Sequence, residues 1–186
     1  MKRLFDLFLS IILIIPILLL ISIIGIMIKI SSKGTIFYWS ERIGKNNTIF
    51  NMPKFRSMII DTPLVASHLL INPNEYLSSI GKFLRRYSLD ELPQFYSVLK
   101  GDMSIIGPRP ALPDQEDLID LRNKKGISSQ LPGITGWAQI NGRDGLSIND
   151  KVKLEEEYLK RQSFWFDLKI LYKTFFKVFL RDGVSH

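Results

Sequence analysis

The sequence predicts an α/β chain that is mostly α with a short β element. It has an N-terminal membrane anchor over residues 1–33 and one compact domain over residues 34–186. An apolar run from Leu7 to Ile28 contains no charged residue and predicts the anchor. Beyond it, helical patterns predominate, and only the stretch near residues 35–50 has the composition of strands. A chain of 186 residues holds one domain plus an anchor.

The composition limits the kinds of partner. With 25 Lys and Arg against 18 Asp and Glu, the net charge is +7, which favours polyanionic partners. Because the cations are dispersed and the chain is anchored, lipid headgroups or phosphorylated substrates are favoured over nucleic acid. The absence of cysteine excludes disulfides, thiolate metal sites and thiol nucleophiles. Two isolated histidines are too few for a histidine zinc site.

The apolar run has the length of a membrane helix, since about 1.5 Å per residue gives it about 33 Å. Lys2 and Arg3 precede it, and Lys29 and Lys33 follow it. Cations normally mark the cytoplasmic side, so both ends are predicted to be cytoplasmic. Pro16 lies near the middle and can break a helix. These features favour a re-entrant helix-hairpin, and an ordinary kinked transmembrane helix remains the alternative.

The first part of the domain is predicted to contain two short strands, a turn and two helices. These are a strand over Thr35–Trp39, a turn at Asn46–Asn47, a returning strand over Thr48–Phe50, a helix over Ile80–Arg86, and a helix that begins at Ser88 or at Pro93, continues over Gln94–Lys100 and stops at Gly101.

Asp90 and Glu91 are the leading candidates for catalysis. In an adjacent carboxylate pair, one group can attack or hold a metal while the other moves a proton or shares the ion. The alternative is a helix capping box, because Ser88 and Glu91 have the S-x-x-E spacing. The predicted helix just before the pair brings Arg85 close to it, which favours the catalytic interpretation.

Arg109 stands between two prolines, and Lys54 lies in another basic segment. The prolines stiffen the backbone around Arg109, and the planar guanidinium suits a phosphate because it donates two parallel hydrogen bonds. The alternative for Arg109 is a rigid turn with a solvated side chain.

A glycine-rich loop over residues 131–143 offers further polar groups. Its three glycines allow close backbone approach, and Thr135, Gln139 and Arg143 supply hydrogen-bonding groups for a nucleotide or sugar. A well-packed turn with a buried Trp137 is the alternative.

The chain ends with two predicted helices. Residues Lys153–Gln162 are charged and predict a solvated helix. From Phe164 to Arg181, aromatic residues alternate with cations at every fourth position, which is typical of an amphipathic helix lying in a membrane interface. A helix that packs on the core with a wet lysine edge is the alternative.

Five motifs carry a resemblance to a known family. In chain order they are Lys54-Phe55-Arg56-Ser57-Met58, Ser88-Leu89-Asp90-Glu91-Leu92-Pro93-Gln94, Lys100-Gly101-Asp102-Met103-Ser104, Gly107-Pro108-Arg109-Pro110 and Pro132-Gly133-Ile134-Thr135-Gly136. With them, nearly the whole chain resembles the monotopic phosphoglycosyl transferases, also called bacterial sugar transferases. It is similar to the minimal members, which consist of a catalytic domain and its membrane hairpin.

The resemblance implies transfer of a sugar 1-phosphate from a UDP-sugar to polyprenol phosphate, typically undecaprenyl phosphate, with release of UMP. Asp90 matches the family's nucleophile, which forms a covalent aspartyl phosphosugar, and Glu91 matches its partner. Family members require Mg²⁺, which would contact Asp90. Lys54, Arg85 and Arg109 match phosphate-binding cations. The resemblance further implies a bacterial inner (cytoplasmic) membrane location, with the catalytic domain on the cytoplasmic face.

The chain departs from the family pattern at three places. Ile15-Pro16 stands where a Ser-Pro pair is usual, Pro53 replaces a common aromatic residue, and Asp144 follows Arg143 where Asn is frequent. The sequence leaves open which UDP-sugar is used and whether the chain forms a homo-oligomer. A non-catalytic basic membrane-bound adaptor is the alternative function.

Overall fold

The structure is a computed structural model that describes residues 2–60, 62, 72–142 and 145–180. In chain order its main elements are α1 (Lys2–Ser31), β1 (Phe37–Ile43), β2 (Ile49–Phe55), α2 (Ser79–Arg86), a 3₁₀ segment (Leu89–Gln94), α3 (Phe95–Lys100), β3 (Ser104–Ile106), α4 (Glu116–Lys124), β4 (Gly133–Thr135), α5 (Trp137–Ile140), α6 (Ile148–Arg161) and α7 (Phe164–Leu180). In the described residues, β1 and β2 form one two-stranded sheet, and β3 and β4 form another. The predicted class, mostly α with short β elements, is confirmed.

Helix α1 continues through Pro16 without a break. The predicted re-entrant hairpin is not confirmed and stays a prediction. A proline removes one backbone hydrogen bond, and the remaining bonds are hard to give up where no water can replace them. Within the described part of the chain, α1 is the one helix long and apolar enough to cross a membrane, judged by length and composition.

Both ends of α1 pack against the domain. Near its start, Lys2 Nζ donates hydrogen bonds to the Tyr158 hydroxyl, at 2.8 Å, and to Asp167 Oδ2, at 3.0 Å. Near its end, Ile28 is buried in a cluster with Phe55. Several apolar side chains between these ends are exposed, namely Ile11, Ile12, Ile15, Leu18 and Leu19. Buried residues recur along the length of the helix, at Asp6, Ser10, Ile17, Ile24 and Ile28, so α1 buries one face and exposes the other.

The predicted strand pair and its turn are confirmed, and both strands are shifted and longer than expected. Strands β1 and β2 are antiparallel. Asn46 and Asn47 form the turn with φ of 53° and 61°, a left-handed conformation that asparagine tolerates. In this register Arg42 lies opposite Phe50. Because side chains alternate along a strand, Arg42 shares a face of the sheet with Lys54.

The segment that carries Asp90 and Glu91 is the 3₁₀ segment before α3. Ser88 has φ of 53°, and its side chain makes no capping hydrogen bond. Because an N-cap residue normally has extended backbone, the capping-box interpretation is wrong. Helix α3 ends before Gly101, whose φ of 102° favours glycine, so the predicted stop is confirmed.

The parallel strands β3 and β4 bring two distant loops together. Gly107 N donates to Thr135 O at 2.9 Å, and Gly133 N donates to Pro108 O at 2.8 Å. A Cβ atom at Gly133 would lie 2.0 Å from Gly107 N, so glycine is required for this approach. The segment that carries Arg109 is thereby held against the glycine-rich loop.

Helices α6 and α7 close the domain. Helix α6 is not simply solvated as predicted, because Val152, Glu155 and Tyr158 are buried. In α7, Phe166 and Ile170 pack into the main core cluster. The opposite face of α7 exposes large side chains, namely Phe164, Trp165, Leu168, Tyr172 and Phe175. That exposed face is consistent with an interfacial helix, which stays a prediction.

Candidate active site

The structure gathers five of the sequence-predicted site residues around the 3₁₀ segment. Asp90 and Glu91 are buried, with 9% and 8% of their surface exposed. Strand β2 brings Lys54, α2 brings Arg85, and the loop after β3 brings Arg109. The site therefore depends on elements that are far apart in the chain.

Glu91 pairs with two of the cations. Its Oε1 accepts a hydrogen bond from Lys54 Nζ at 2.9 Å and another from Arg109 Nη2 at 3.3 Å. Side chains from three separate segments thus meet at one carboxylate oxygen. Hydrogen bonds between charged groups are stronger than neutral ones, so Glu91 fixes the positions of both cations.

Asp90 is the more strongly perturbed carboxylate. Burial raises its pKa above the usual range, and the negative charge of Glu91 adds to this increase. The positive charges of Lys54, Arg85 and Arg109 act in the opposite direction. Among the described residues, none donates a hydrogen bond to the Asp90 carboxylate. A desolvated carboxylate that faces cations without such hydrogen bonds is suited to reacting with a positively polarised atom.

Arg85 is another cation whose charge acts on Asp90. Its Nε donates a hydrogen bond to Ser57 Oγ at 2.9 Å, which holds the guanidinium in place. Burial lowers its pKa, and the negative charge of Asp90 raises it. Arg86, the next residue in α2, is exposed.

Arg42 is a site residue that the sequence reasoning missed. It lines a small cleft together with Lys54, Glu91, Gln94 and Arg109. Burial lowers the pKa of Arg42, and the positive charge of Arg109 lowers it further. The alternation of β1 could have identified it, because it shares a face with Lys54 once the strands are paired.

A buried ion pair supports Arg109 from behind. Arg122 Nε donates to Glu155 Oε2 at 2.8 Å, and its Nη2 donates to Glu155 Oε1. The same Nη2 donates to the Arg109 carbonyl at 2.9 Å. Helices α4 and α6 therefore fix the backbone that presents the Arg109 guanidinium to Glu91. A second small cleft lies beside Arg122, but none of the sequence-predicted site residues lines it.

The polar side chains that were predicted from the glycine-rich loop do not join the cluster around Asp90 and Glu91 in the described residues. Thr135 Oγ1 shares a hydrogen bond of 2.7 Å with Thr174 Oγ1 of α7. Both polar atoms of the Gln139 amide are buried without a hydrogen-bond partner. Arg143 lies outside the described residues. The substrate-binding roles of these three residues stay predictions. Trp137 is half-buried, and its Nε1 donates to Glu157 Oε2 at 2.9 Å.

Comparison with known proteins shows which family the chain belongs to. Residues 1–181 match the family model described as bacterial sugar transferase. The chain belongs to the bacterial sugar transferase family. The predicted resemblance is thereby confirmed, and all the motifs that carried it lie within the matched residues.

Three relatives of this bacterial sugar transferase show what it is similar to. The undecaprenyl-phosphate glucose phosphotransferase of Komagataeibacter xylinus is 39% identical over 93% of the chain and 35% of its own length. The UDP-glucose:undecaprenyl-phosphate glucose-1-phosphate transferase of Escherichia coli is 37% identical over 98% of the chain and 41% of its own length. The sugar transferase EpsL of Bacillus subtilis is 39% identical over 100% of the chain and 90% of its own length. The chain thus spans about a third of the first of these relatives, and most of EpsL.

The arrangement of the carboxylates decides whether the site could bind a metal ion. Among the described residues there is no cluster of three or more His, Cys, Asp or Glu side chains that could form a complete cage. Mg²⁺ is usually held by one or two carboxylates together with substrate phosphates. Asp90, which accepts no hydrogen bond from the described residues, fits that requirement. Oε1 of Glu91 is already engaged by two cations.

Proposed function

We propose that the chain is a membrane-bound, Mg²⁺-dependent phosphoglycosyl transferase. It transfers a sugar 1-phosphate from a UDP-sugar to polyprenol phosphate, such as undecaprenyl phosphate, and releases UMP. The observation that carries the proposal is the Asp90 carboxylate, which is desolvated and has Lys54, Arg85 and Arg109 as its main positive neighbours. A phosphoryl group in transfer needs a nucleophile and positive charge close together, and this site supplies both.

The first step forms a covalent intermediate. An Asp90 carboxylate oxygen attacks the β-phosphorus of the UDP-sugar. The bond between that phosphorus and the bridging oxygen breaks, and its electron pair leaves with UMP. Lys54, Arg85 and Arg109 stabilise the charge that develops on the phosphate oxygens. The product of this step is an aspartyl phosphosugar on Asp90.

The second step regenerates the enzyme. A phosphate oxygen of the polyprenol phosphate attacks the same phosphorus, and the bond to Asp90 breaks. The electron pair returns to the carboxylate, and the product is a polyprenol diphosphate sugar. Glu91 keeps Lys54 and Arg109 in position through both steps, because its Oε1 binds both.

Asp90 is the side chain that would hold Mg²⁺, with phosphate oxygens of the donor completing the shell. The ion would supply additional positive charge to the diphosphate. To bind the ion, the Asp90 carboxylate must have oxygen lone pairs that are not already used in hydrogen bonds to other side chains.

The membrane placement follows from α1. A helix that crossed a bilayer would have one end on the far side, out of reach of the domain. Here Lys2 and Ile28 both contact the domain, while another face of α1 exposes apolar side chains such as Ile15. We therefore expect α1 to enter and leave the cytoplasmic leaflet of the bacterial inner membrane, with the exposed face of α7 in the interface.

A cysteine introduced at position 2 tests this placement. In intact cells it should resist labelling by a membrane-impermeant thiol reagent and become labelled after lysis. Labelling in intact cells would place that end outside and refute the re-entrant arrangement.

UMP release tests the function. The purified full chain is incubated with Mg²⁺, undecaprenyl phosphate and a panel of UDP-sugars. We expect UMP with at least one donor, none from Asp90→Asn, and slower turnover from Glu91→Gln. Asp117→Asn, an exposed position in α4, is the matched control. If no donor yields UMP, and the chain only binds anionic vesicles in a salt-sensitive way, it is an adaptor. Wild-type rates from Asp90→Asn would refute the nucleophile.

A further inference from the structure

The cleft beside Glu91 is lined by more cations than carboxylates among the described residues. Arg42, Lys54 and Arg109 line it, and Glu91 is the only carboxylate among the described residues that do so. Lys54 and Arg109 both bind Glu91. Arg42 has no ion pair with any described residue. Three lining cations against one lining carboxylate make this cleft suited to an anion.

The hydrogen bonds of Arg42 leave much of its guanidinium unused. Its Nε donates to Ser40 Oγ at 3.1 Å, and its Nη1 reaches the Pro110 carbonyl at a long 3.5 Å. A guanidinium has five N–H donors in a planar fork, so several remain for a ligand. The fork also matches the geometry of a phosphate.

Gln94 provides a second, independent indication of a ligand. It lines the same cleft, and only 3% of its surface is exposed. Its amide makes no hydrogen bond to another described residue. A side-chain amide offers two N–H donors and a carbonyl acceptor. At the lining of the cleft these groups can bind an anion or a hydroxyl.

The position of Arg42 relative to Asp90 indicates which anion binds there. Arg42, Glu91 and Arg109 line one cleft, and Asp90, the neighbour of Glu91 in the chain, is not among the described residues that line it. In phosphoryl transfer, the attacking and leaving oxygens lie roughly in line on opposite sides of the phosphorus. With Asp90 as the attacking group, the leaving phosphate is expected on the side of Arg42.

We propose that Arg42 and Gln94 form a phosphate-monoester site that serves both steps of the reaction. This inference rests on the proposed function. In the first step the site holds the phosphate of the nucleoside monophosphate as its bond to the transferred phosphorus breaks. In the second step it holds the phosphate of the lipid acceptor as its oxygen forms the new bond. The bond between the phosphorus and Asp90 lies opposite this site in both steps. The hydrogen-bond donors of Arg42 and Gln94 therefore bind the two phosphate monoesters one after the other.

Binding measurements on the full chain in detergent micelles test this site without requiring turnover. The probes are radiolabelled UMP, and farnesyl phosphate as a short lipid phosphate. For the wild type, farnesyl phosphate should displace UMP competitively. Arg42→Gln should weaken the binding of both probes about ten- to hundredfold, the range expected for a hydrogen bond between charged groups. Arg42→Lys should retain part of the affinity, since it keeps the charge and loses the fork.

Arg86→Gln is the matched control, because it makes the same change at an exposed position of α2. It should leave both affinities unchanged. Thermal unfolding of each variant verifies that it is folded, and Gln94→Leu provides a second variant that removes no charge. It should weaken both probes in the same direction as Arg42→Gln.

Several outcomes would overturn the inference. These are unchanged affinities in folded Arg42→Gln and Gln94→Leu, loss of only one probe, or simultaneous binding of UMP and farnesyl phosphate. Each can occur in an enzyme that still releases UMP from a UDP-sugar, in which case the shared site fails and the proposed function stands. If the wild type releases no UMP from any donor, the proposed function fails first.

Discussion

The ion pair between Arg122 and Glu155 gives the sharpest prediction about stability. Only 9% of the Arg122 side chain and 2% of the Glu155 side chain are exposed. Glu155→Gln would leave the Arg122 charge buried without its partner. Removing one partner of a buried ion pair typically lowers the free energy of unfolding by about 3–5 kcal/mol. We expect the lower end of this range, because the Arg109 carbonyl still accepts one hydrogen bond from Arg122.

Denaturant unfolding of the purified chain, followed by tryptophan fluorescence, measures this loss. Glu156→Gln is the matched control, since it makes the same change one residue along α6 at a position whose ion pairs are solvated. A loss for Glu155→Gln below about 1 kcal/mol, the range of surface ion pairs, would refute the reasoning.

The double variant Arg122→Met with Glu155→Leu separates folding from function. Replacing a buried ion pair by apolar residues of similar volume is often neutral or stabilising, so stability should largely return. The Arg109 carbonyl would still lack the hydrogen bond that holds its backbone, so turnover should stay low. Recovery of both stability and turnover would show that the pair does not position Arg109.

The remaining predictions concern the protonation of Asp90 and the loop approach. Asp90 must be ionised to attack, and Lys54 lowers its pKa while Glu91 raises it. In a pH profile of kcat/KM, the acidic limb should therefore move to higher pH in Lys54→Met and to lower pH in Glu91→Gln; movement in the opposite sense would contradict the assigned charges. Gly133→Ala would place a methyl group 2.0 Å from a backbone nitrogen, so turnover and thermal stability should both fall, with the exposed Gly145→Ala as the control. Wild-type behaviour of Gly133→Ala would contradict the required approach.

Features that depend on local chemistry could be predicted from the sequence. The asparagine turn, α2, α3 and the stop at Gly101 follow from turn residues, hydrophobic pattern and backbone preference. The capping-box alternative is wrong because Ser88 adopts a left-handed backbone conformation, which the S-x-x-E spacing alone does not reveal. Helix α6 was predicted to be solvated because a charged residue, Glu155, occupies a core position that only its distant partner makes favourable.

The candidate site was predictable where motifs carried it. Asp90, Glu91 and Arg109 were named from residue type and spacing, and the structure places all three together. Arg42 was missed because its role depends on the pairing of two strands and on a loop more than sixty residues away. Such contacts are set by the packing of the whole domain, which no local pattern reports.

The most direct test of the account is mass spectrometry of the enzyme after incubation with Mg²⁺ and UDP-sugar alone. Without an acceptor the second step cannot proceed, so the adduct should accumulate. The account predicts a phosphosugar on the peptide that contains Asp90, which disappears when undecaprenyl phosphate is added. An active enzyme with no adduct, or with the phosphosugar on another residue, would contradict it.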